Sequence, residues 1–342
     1  NVVFADTAGD WGYWMAGRIP LRASGRPSSL PLPGWTGAYD WEGTVPFSQH
    51  PHVLSPERGY VATANNAQGR DSVANLVTSG GWARPYRAGR ISELIEAREA
   101  HDAGTMADMQ MDLVSRFALR YRSRVAGAFR AAGLEAEATR LEAWDGSAAL
   151  PSREAALFHA WIRSMSTRLR QAFYDGGGGY FPLYMVEKVL DSRPGPDSLD
   201  VFAAREAATA ADDRAWGEVH TLTLDHPLSG IPILSGLAGF GRDRIAREGS
   251  THSLNVSWFS GSRPPFVSTH GPSQRHVVDL ADLDGSGGFI LPGGQSGYPR
   301  GAHAFDQLPR WLSGELWILP LSRERVEART VARLTLVPTQ VP

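Results

Sequence analysis

Residues 109–133 read MQMDLVSRFALRYRSRVAGAFRAAG. Met109, Leu113, Phe117, Tyr121, Val125 and Phe129 recur at every fourth position, with Val114 and Ala118 beside them. Side chains at that spacing share one helical face, which predicts an amphipathic helix to about Ala132, stopped by Gly133. A second helix is predicted from Pro151, with Leu157, Trp161, Ile162, Met165 and Leu169 on one stripe. Asp175 and the glycines 176–179 break it. A third, Asp200 to Arg214, is rich in alanine and reads as mostly surface. Residues 91–215 thus form a helical stretch.

Outward from that stretch the texture changes. Val2–Ala5 and Trp11–Ala16 are apolar runs separated by Thr7-Ala8-Gly9-Asp10, which predicts a β-hairpin. Residues 24–34 carry too much proline and glycine for a regular element, and a short strand is expected at Tyr60–Thr63. Beyond Trp216, strands are expected at Ser253–Trp258, His276–Leu280, Leu316–Leu319 and Val331–Val337. The order of β-rich (1–90), helical (91–215) and β-rich (216–342) segments predicts an α+β fold with segregated layers. No internal repeat is visible, so residues 1–342 read as a single domain.

Composition limits the function. The 342 residues are 42% hydrophobic and 20% charged, which is globular and long enough for a sizeable core. A net charge of −2 offers no basic face for nucleic acid. No apolar run reaches the roughly 20 residues of a membrane span. The chain has no cysteine, which removes disulfides, thiolate metal sites and a cysteine nucleophile. Among 34 basic residues only Lys188 is a lysine. The chain opens at Asn1 with neither a start methionine nor a signal peptide, and reads as a piece of something longer.

Several patterns carry potential chemistry. Gly285-Ser286-Gly287-Gly288 and Gly294-Gln295-Ser296-Gly297 approach a nucleophile elbow but lack its strand-to-helix setting. His220 and His226 flank a presumed strand, and His303 precedes Asp306 by three; two ligands make no metal site, and structural histidines are the better reading. Asp40 with Glu42, the set Asp279, Asp282 and Asp284, and eleven tryptophans would suit a glycan-active protein. Asp282 and Asp284 read equally as turn residues before Gly285. Asn65-Asn66, at the end of the expected strand, could aim amide N–H donors at an oxyanion. Locally the pair also reads as a turn before Ala67-Gln68-Gly69.

An ordered series of segments then connects these patterns. It begins with Val3-Phe4-Ala5-Asp6-Thr7-Ala8-Gly9-Asp10-Trp11-Gly12-Tyr13, Ala16-Gly17-Arg18-Ile19-Pro20, Pro33-Gly34-Trp35 and Tyr39-Asp40-Trp41-Glu42-Gly43. It continues through Pro46-Phe47, Ala62-Thr63-Ala64-Asn65-Asn66, Tyr86-Arg87-Ala88-Gly89-Arg90-Ile91, Gln110-Met111-Asp112 with Ser115, and Trp144-Asp145-Gly146. Trp216-Gly217 with His220, His226-Pro227-Leu228, Gly271-Pro272-Ser273, Arg275, Asp279-Leu280, Gly294-Gln295-Ser296-Gly297, His303 and Asp306-Gln307 complete it. Together they resemble the penicillin acylase family of N-terminal nucleophile hydrolases, over nearly the whole chain and in the family's order.

The resemblance implies a part of a four-layer αββα fold, from the C-terminal portion of the large (beta) subunit. Its partner would be a small (alpha) subunit cut from the same precursor. The catalytic serine would open the large subunit, upstream of Asn1, so the fragment itself is expected to be inactive. The serine attacks an amide carbonyl, and its own α-amine, with an unperturbed pKa of about 7.7–8, takes the proton. The family's oxyanion asparagine falls on Asn65. Its active-site arginine falls on Arg90, expected near Asn65; Arg90 also has a plain salt-bridge reading. The substrate would be an acyl group on a β-lactam nucleus, a homoserine lactone or a lipopeptide core. No cofactor is required, although some members bind a structural calcium, whose local equivalent would lie around Asn75. A periplasmic or secreted setting is expected. A non-catalytic binding or scaffold module is the reading from another class.

Overall fold

The computed structural model describes residues 1–23, 31–68, 73, 81–173, 183–193, 195–226, 228–229, 231, 233, 241–261 and 263–337. The stretch 24–30, the glycines 176–179 and the position of Asn75 lie outside them. The chain gathers into two compact units: Asn1–Glu99 with Met111–Pro272, and Ala100–Gln110 with Ser273–Pro342.

In the first unit the expected hairpin is present. β1 (Val2–Ala5) pairs antiparallel with β2 (Trp11–Trp14). The Asp6 carboxylate shapes the turn by accepting the amides of Ala8 and Asp10 at 2.9 and 3.0 Å. β3 (Pro20–Arg22) pairs with β4 (Trp41–Thr44), and β5 (His52–Leu54) adds to the far edge of β2. Tyr13, Met15, Ile19 and Val45 form a small core beneath these strands. The strand expected at Tyr60–Thr63 is absent; those residues run outside any ladder.

Residues 86–219 form α1 (Tyr86–Glu96), α2 (Ala103–Gln110), α3 (Arg116–Ala131), α4 (Glu135–Ala143), α5 (Arg153–Phe173), α6 (Leu183–Asp191), α7 (Ser198–Ala211) and α8 (Trp216–Val219), of which α2 belongs to the second unit. The helix expected from Met109 is therefore two helices. Ser115 starts α3 afresh: its Oγ accepts the Ala118 amide at 3.2 Å, the capping bond that satisfies an otherwise orphaned donor. Phe117, Tyr121, Val125 and Phe129 then face inward as the periodicity demanded. Gly133 ends the segment with φ of 81°, in the left-handed form that glycine adopts without strain. The stripe on α5 is buried throughout. α7 departs from its surface reading: Ala203, Ala204, Ala207 and Ala211 are buried. Alanines without bulk let α7 lie close on α5, and the Trp161 indole N–H reaches the Asp200 carbonyl at 3.1 Å.

β6 (His220–Leu224), β7 (Arg242–Ala246), β8 (Trp258–Ser260) and β9 (Phe266–His270) form a mixed sheet in the order β7-β6-β9-β8. The strand expected at Ser253–Trp258 begins only at Trp258. Phe259 and Phe266 from this sheet join Trp216 and the α3 and α5 side chains in one continuous core.

The second unit contains α2, the hairpin of β10 (Arg275–Val278) with β11 (Gly287–Ile290), α9 (Leu308–Ser313) and α10 (Arg323–Ala328). Buried Arg275 ties it together, donating to the carbonyls of Trp311 and Gln110 at 3.3 and 3.2 Å. The strand expected at Leu316–Leu319 is reduced to a bridge between Phe289 and Trp317, and residues 331–337 form no ladder.

Candidate active site

Asn65 and Asn66 occupy a bend after the buried Ala64, held by side chains and not by the end of a strand. The two amides do different work. Asn66 builds the turn: its Oδ1 accepts from the Ala64 amide at 3.0 Å and its Nδ2 donates to the Ala67 carbonyl at 3.1 Å. Gln68 Nε2 closes the loop on Asn66 Oδ1 at 3.2 Å. The turn reading of the pair therefore describes Asn66.

Asn65 is exposed and left-handed, with φ of 63°. The Ala83 amide donates to its backbone carbonyl at 2.9 Å. Arg87 Nη2 donates to its side-chain Oδ1 at 2.6 Å and to the Ala64 carbonyl at 3.1 Å. A guanidinium has donors only, so the amide atom facing it is the oxygen, and Nδ2 is turned away as a donor. This is the orientation that an oxyanion contact needs.

Pro85 opens α1, placing Arg87 and Arg90 one turn apart. The guanidinium that reaches Asn65 is that of Arg87. Arg90, expected beside Asn65, instead forms a fork with Asp112: Nε to Oδ1 at 3.0 Å and Nη2 to Oδ2 at 2.7 Å. Its Nη1 reaches Glu93 at 3.4 Å. The Asp112 pairing favours the charged guanidinium and raises its pKa, while burial lowers that of Arg87. Arg87 and Arg90, three apart on one helix flank, are equivalent in the sequence until tertiary contacts separate them. A cavity of about 640 Å³ adjoins the bend, lined among others by Tyr13, His50, His52, Asn66, Gln68 and Gly89.

The other candidate residues lie elsewhere. His220 is fully buried, with Nδ1 on the Arg247 carbonyl at 2.6 Å and Nε2 on Ser257 Oγ at 3.2 Å. Its ring stacks on Trp216 at 4.3 Å. Burial pushes its pKa down to about 3, that of His252 to about 4, and that of His159 well below the usual range. His159 and His220 are neutral core rings, and His252 is a neutral ring packed against Tyr86 and Phe117. Exposed His303 pairs with Asp306 at 2.8 Å. Asp279 and Asp282 accept backbone amides within their own turns, and Asp284 accepts those of Leu321 and Ser322. Ser286 lies in the turn before β11, and Ser296 Oγ accepts the Tyr298 amide at 3.1 Å. Among the described residues no three His, Asp or Glu side chains are placed to share a metal ion, and no helix is long and apolar enough to cross a membrane.

The sequence profile of the penicillin amidase family matches residues 1–328. The chain belongs to that family. It is 29% identical, over 99% of its length, to the acyl-homoserine lactone acylase QuiP of Pseudomonas syringae pv. tomato. It is also 29% identical over 99% of its length to the penicillin acylase 2 proenzyme of a Pseudomonas species. It spans 46% of each of these relatives. Among solved structures, a thermostable penicillin G acylase from Alcaligenes faecalis matches with a TM-score of 0.60 at 16% identity, over 99% of this chain and 68% of that one. The α+β reading and the N-terminal nucleophile hydrolase fold both stand on that likeness.

Proposed function

We propose that the protein to which this penicillin amidase chain belongs hydrolyses linear amides, and that these residues supply the oxyanion side of its active site. The observation that carries the reading is the bond from Arg87 to Asn65, which presents Asn65 Nδ2 as a preorganised donor. A nucleophile from outside these 342 residues, the N-terminal serine of the large subunit, attacks the carbonyl carbon. Its α-amine accepts the hydroxyl proton. Negative charge collects on the former carbonyl oxygen and is met by Nδ2, a fixed dipole that needs no reorganisation at that moment. Collapse expels the amine with the stored proton, and water then cleaves the acyl-serine ester. The names of the relatives support penicillins and acyl-homoserine lactones as the substrate classes. The name proenzyme in one of them supports a small subunit cut from the same precursor.

The test is Asn65→Ala in the whole protein, with amine release from benzylpenicillin and from a long-chain acyl-homoserine lactone followed by fluorescamine. Loss of one oxyanion donor costs about 10²–10³ in kcat. Unchanged turnover would remove Asn65 from the site. The 342 residues alone should hydrolyse neither substrate, and measurable hydrolysis by them would overturn the external nucleophile.

A further inference from the structure

Glu187, on α6, is 3% exposed. A carboxylate in that position is costly to keep unless its partners compensate for lost water, and apolar replacements of such groups are often no less stable. Its partners belong to one short segment. Arg84 Nε donates to Oε2 at 3.2 Å, and the Tyr86 hydroxyl donates to Oε1. Burial and the adjacent carboxylate both raise the Tyr86 pKa, so the phenol keeps its proton and remains the donor. The Tyr86 ring is wedged edge-on against Phe117 and His252, at 5.6 and 5.4 Å between centroids.

The residues on either side of this anchor point the other way. Ala83 donates its amide to the Asn65 carbonyl at 2.9 Å, and Arg87 holds the Asn65 side chain at 2.6 Å. Residues 83 and 87 thus grip Asn65 while residues 84 and 86 are gripped by Glu187. We infer that Glu187 is a positioning residue for the deacylation, fixing the 83–87 segment so that Arg87 and Ala83 hold Asn65 in its donor orientation. The inference rests on the proposed role of Asn65. Glu187 itself touches no reacting atom: it acts through Tyr86 and Arg84 on the segment, and through the segment on the amide.

A double-mutant cycle in the whole, processed protein tests it, with kcat and KM measured for amine release. Glu187→Gln keeps the shape but replaces an acceptor oxygen with a donor. It should lower kcat about 10-fold, short of the roughly 100-fold that a 1 Å misplacement can cost, and leave KM within about 2-fold. Tyr86→Phe keeps the ring packing and removes the hydroxyl, so it should give the same split with the protein fully folded. In an Asn65→Ala background, neither substitution should lower kcat by more than about 2-fold, because the group they position is gone. Equal losses with and without Asn65 would make Glu187 a general structural residue and overturn the inference while leaving the oxyanion donor in place. So would full activity of both single variants. An unimpaired Asn65→Ala would overturn the donor assignment, and the inference with it.

Discussion

Replacing Arg87 and Arg90 separately by alanine distinguishes two arginines that sequence treats alike. Arg87 Nη2 holds Asn65 Oδ1 at 2.6 Å, a short charge-assisted bond. Such bonds contribute about 1.5–3 kcal/mol. The terminal torsion of asparagine is broad and roughly two-fold, so without Arg87 the amide can turn its oxygen toward the place where Nδ2 belongs. In the proposed role, an acceptor there would repel the oxyanion. If the lost bond sets the orientation, 1.5–3 kcal/mol corresponds to a fall in kcat of about 10- to 150-fold. That loss should not exceed the cost of Asn65→Ala, through which Arg87 acts. Arg90→Ala should behave differently. It strips the fork from Asp112, whose side chain is 13% exposed, and should cost about 1–3 kcal/mol of stability with kcat within about 3-fold of the parent. Amine release by fluorescamine gives the rates, and urea unfolding gives the stabilities. The reasoning fails if Arg90→Ala loses turnover while folded and Arg87→Ala retains it.

Three further outcomes follow from the packing. Arg124 forks onto fully buried Asp200 at 2.8 and 3.1 Å and also donates to the carbonyls of Leu190, Arg193 and Gly195, so Arg124→Met should destabilise by about 3–5 kcal/mol in urea. Ala204→Leu on α7 should cost about 1–3 kcal/mol by overpacking, readable as a lower Tm; an unchanged Tm would contradict its buried position. His220 and His252 have folded pKa values of about 3 and 4, below the unfolded value of about 6.5. The unfolded chain therefore binds more protons as pH falls below about 6.5, and stability declines from there toward about pH 4, by up to about 1.4 kcal/mol per pH unit for each ring. His252→Gln should flatten that slope between pH 6 and pH 5 in urea titrations, and an unaltered slope would count against the neutral ring packed on Tyr86 and Phe117.

Much of the helical layer was legible because bulky residues at fixed spacing leave a strong period. The apolar stripe of α5 is visible in the sequence and buried in the fold. The departures from the sequence pattern have physical causes. The period from Met109 to Phe129 runs across a break, because Ser115 can start a helix without disturbing the spacing of the apolar residues on either side. α7 looked like surface because alanine is a weak indicator of burial; its side chains are covered only because another helix comes close. Val331–Val337 has the composition of a strand, but composition does not supply a partner, and the segment is unpaired. At the site, Asn65 is singled out by the family resemblance, while its local sequence reads as a turn; which arginine reaches it depends on contacts with residues 22 positions away in each case. Glu187 carried no signal at all, since its value lies in what it holds.

The left-handed backbone of Asn65 narrows what evolution can place there. With φ at 63°, branched and bulky residues carry a steric penalty, and the conformation is readily shared by glycine, asparagine and aspartate. Chemistry then imposes a second filter. In the proposed oxyanion role, the side chain must offer an oxygen to Arg87 and an N–H to the developing charge. Glycine offers neither, and ionised aspartate has no hydrogen to give. The two filters intersect at a single amino acid. On the proposed role, position 65 could therefore drift among several residues in a descendant that only needs to fold, but would be held to asparagine in one that must stabilise an oxyanion.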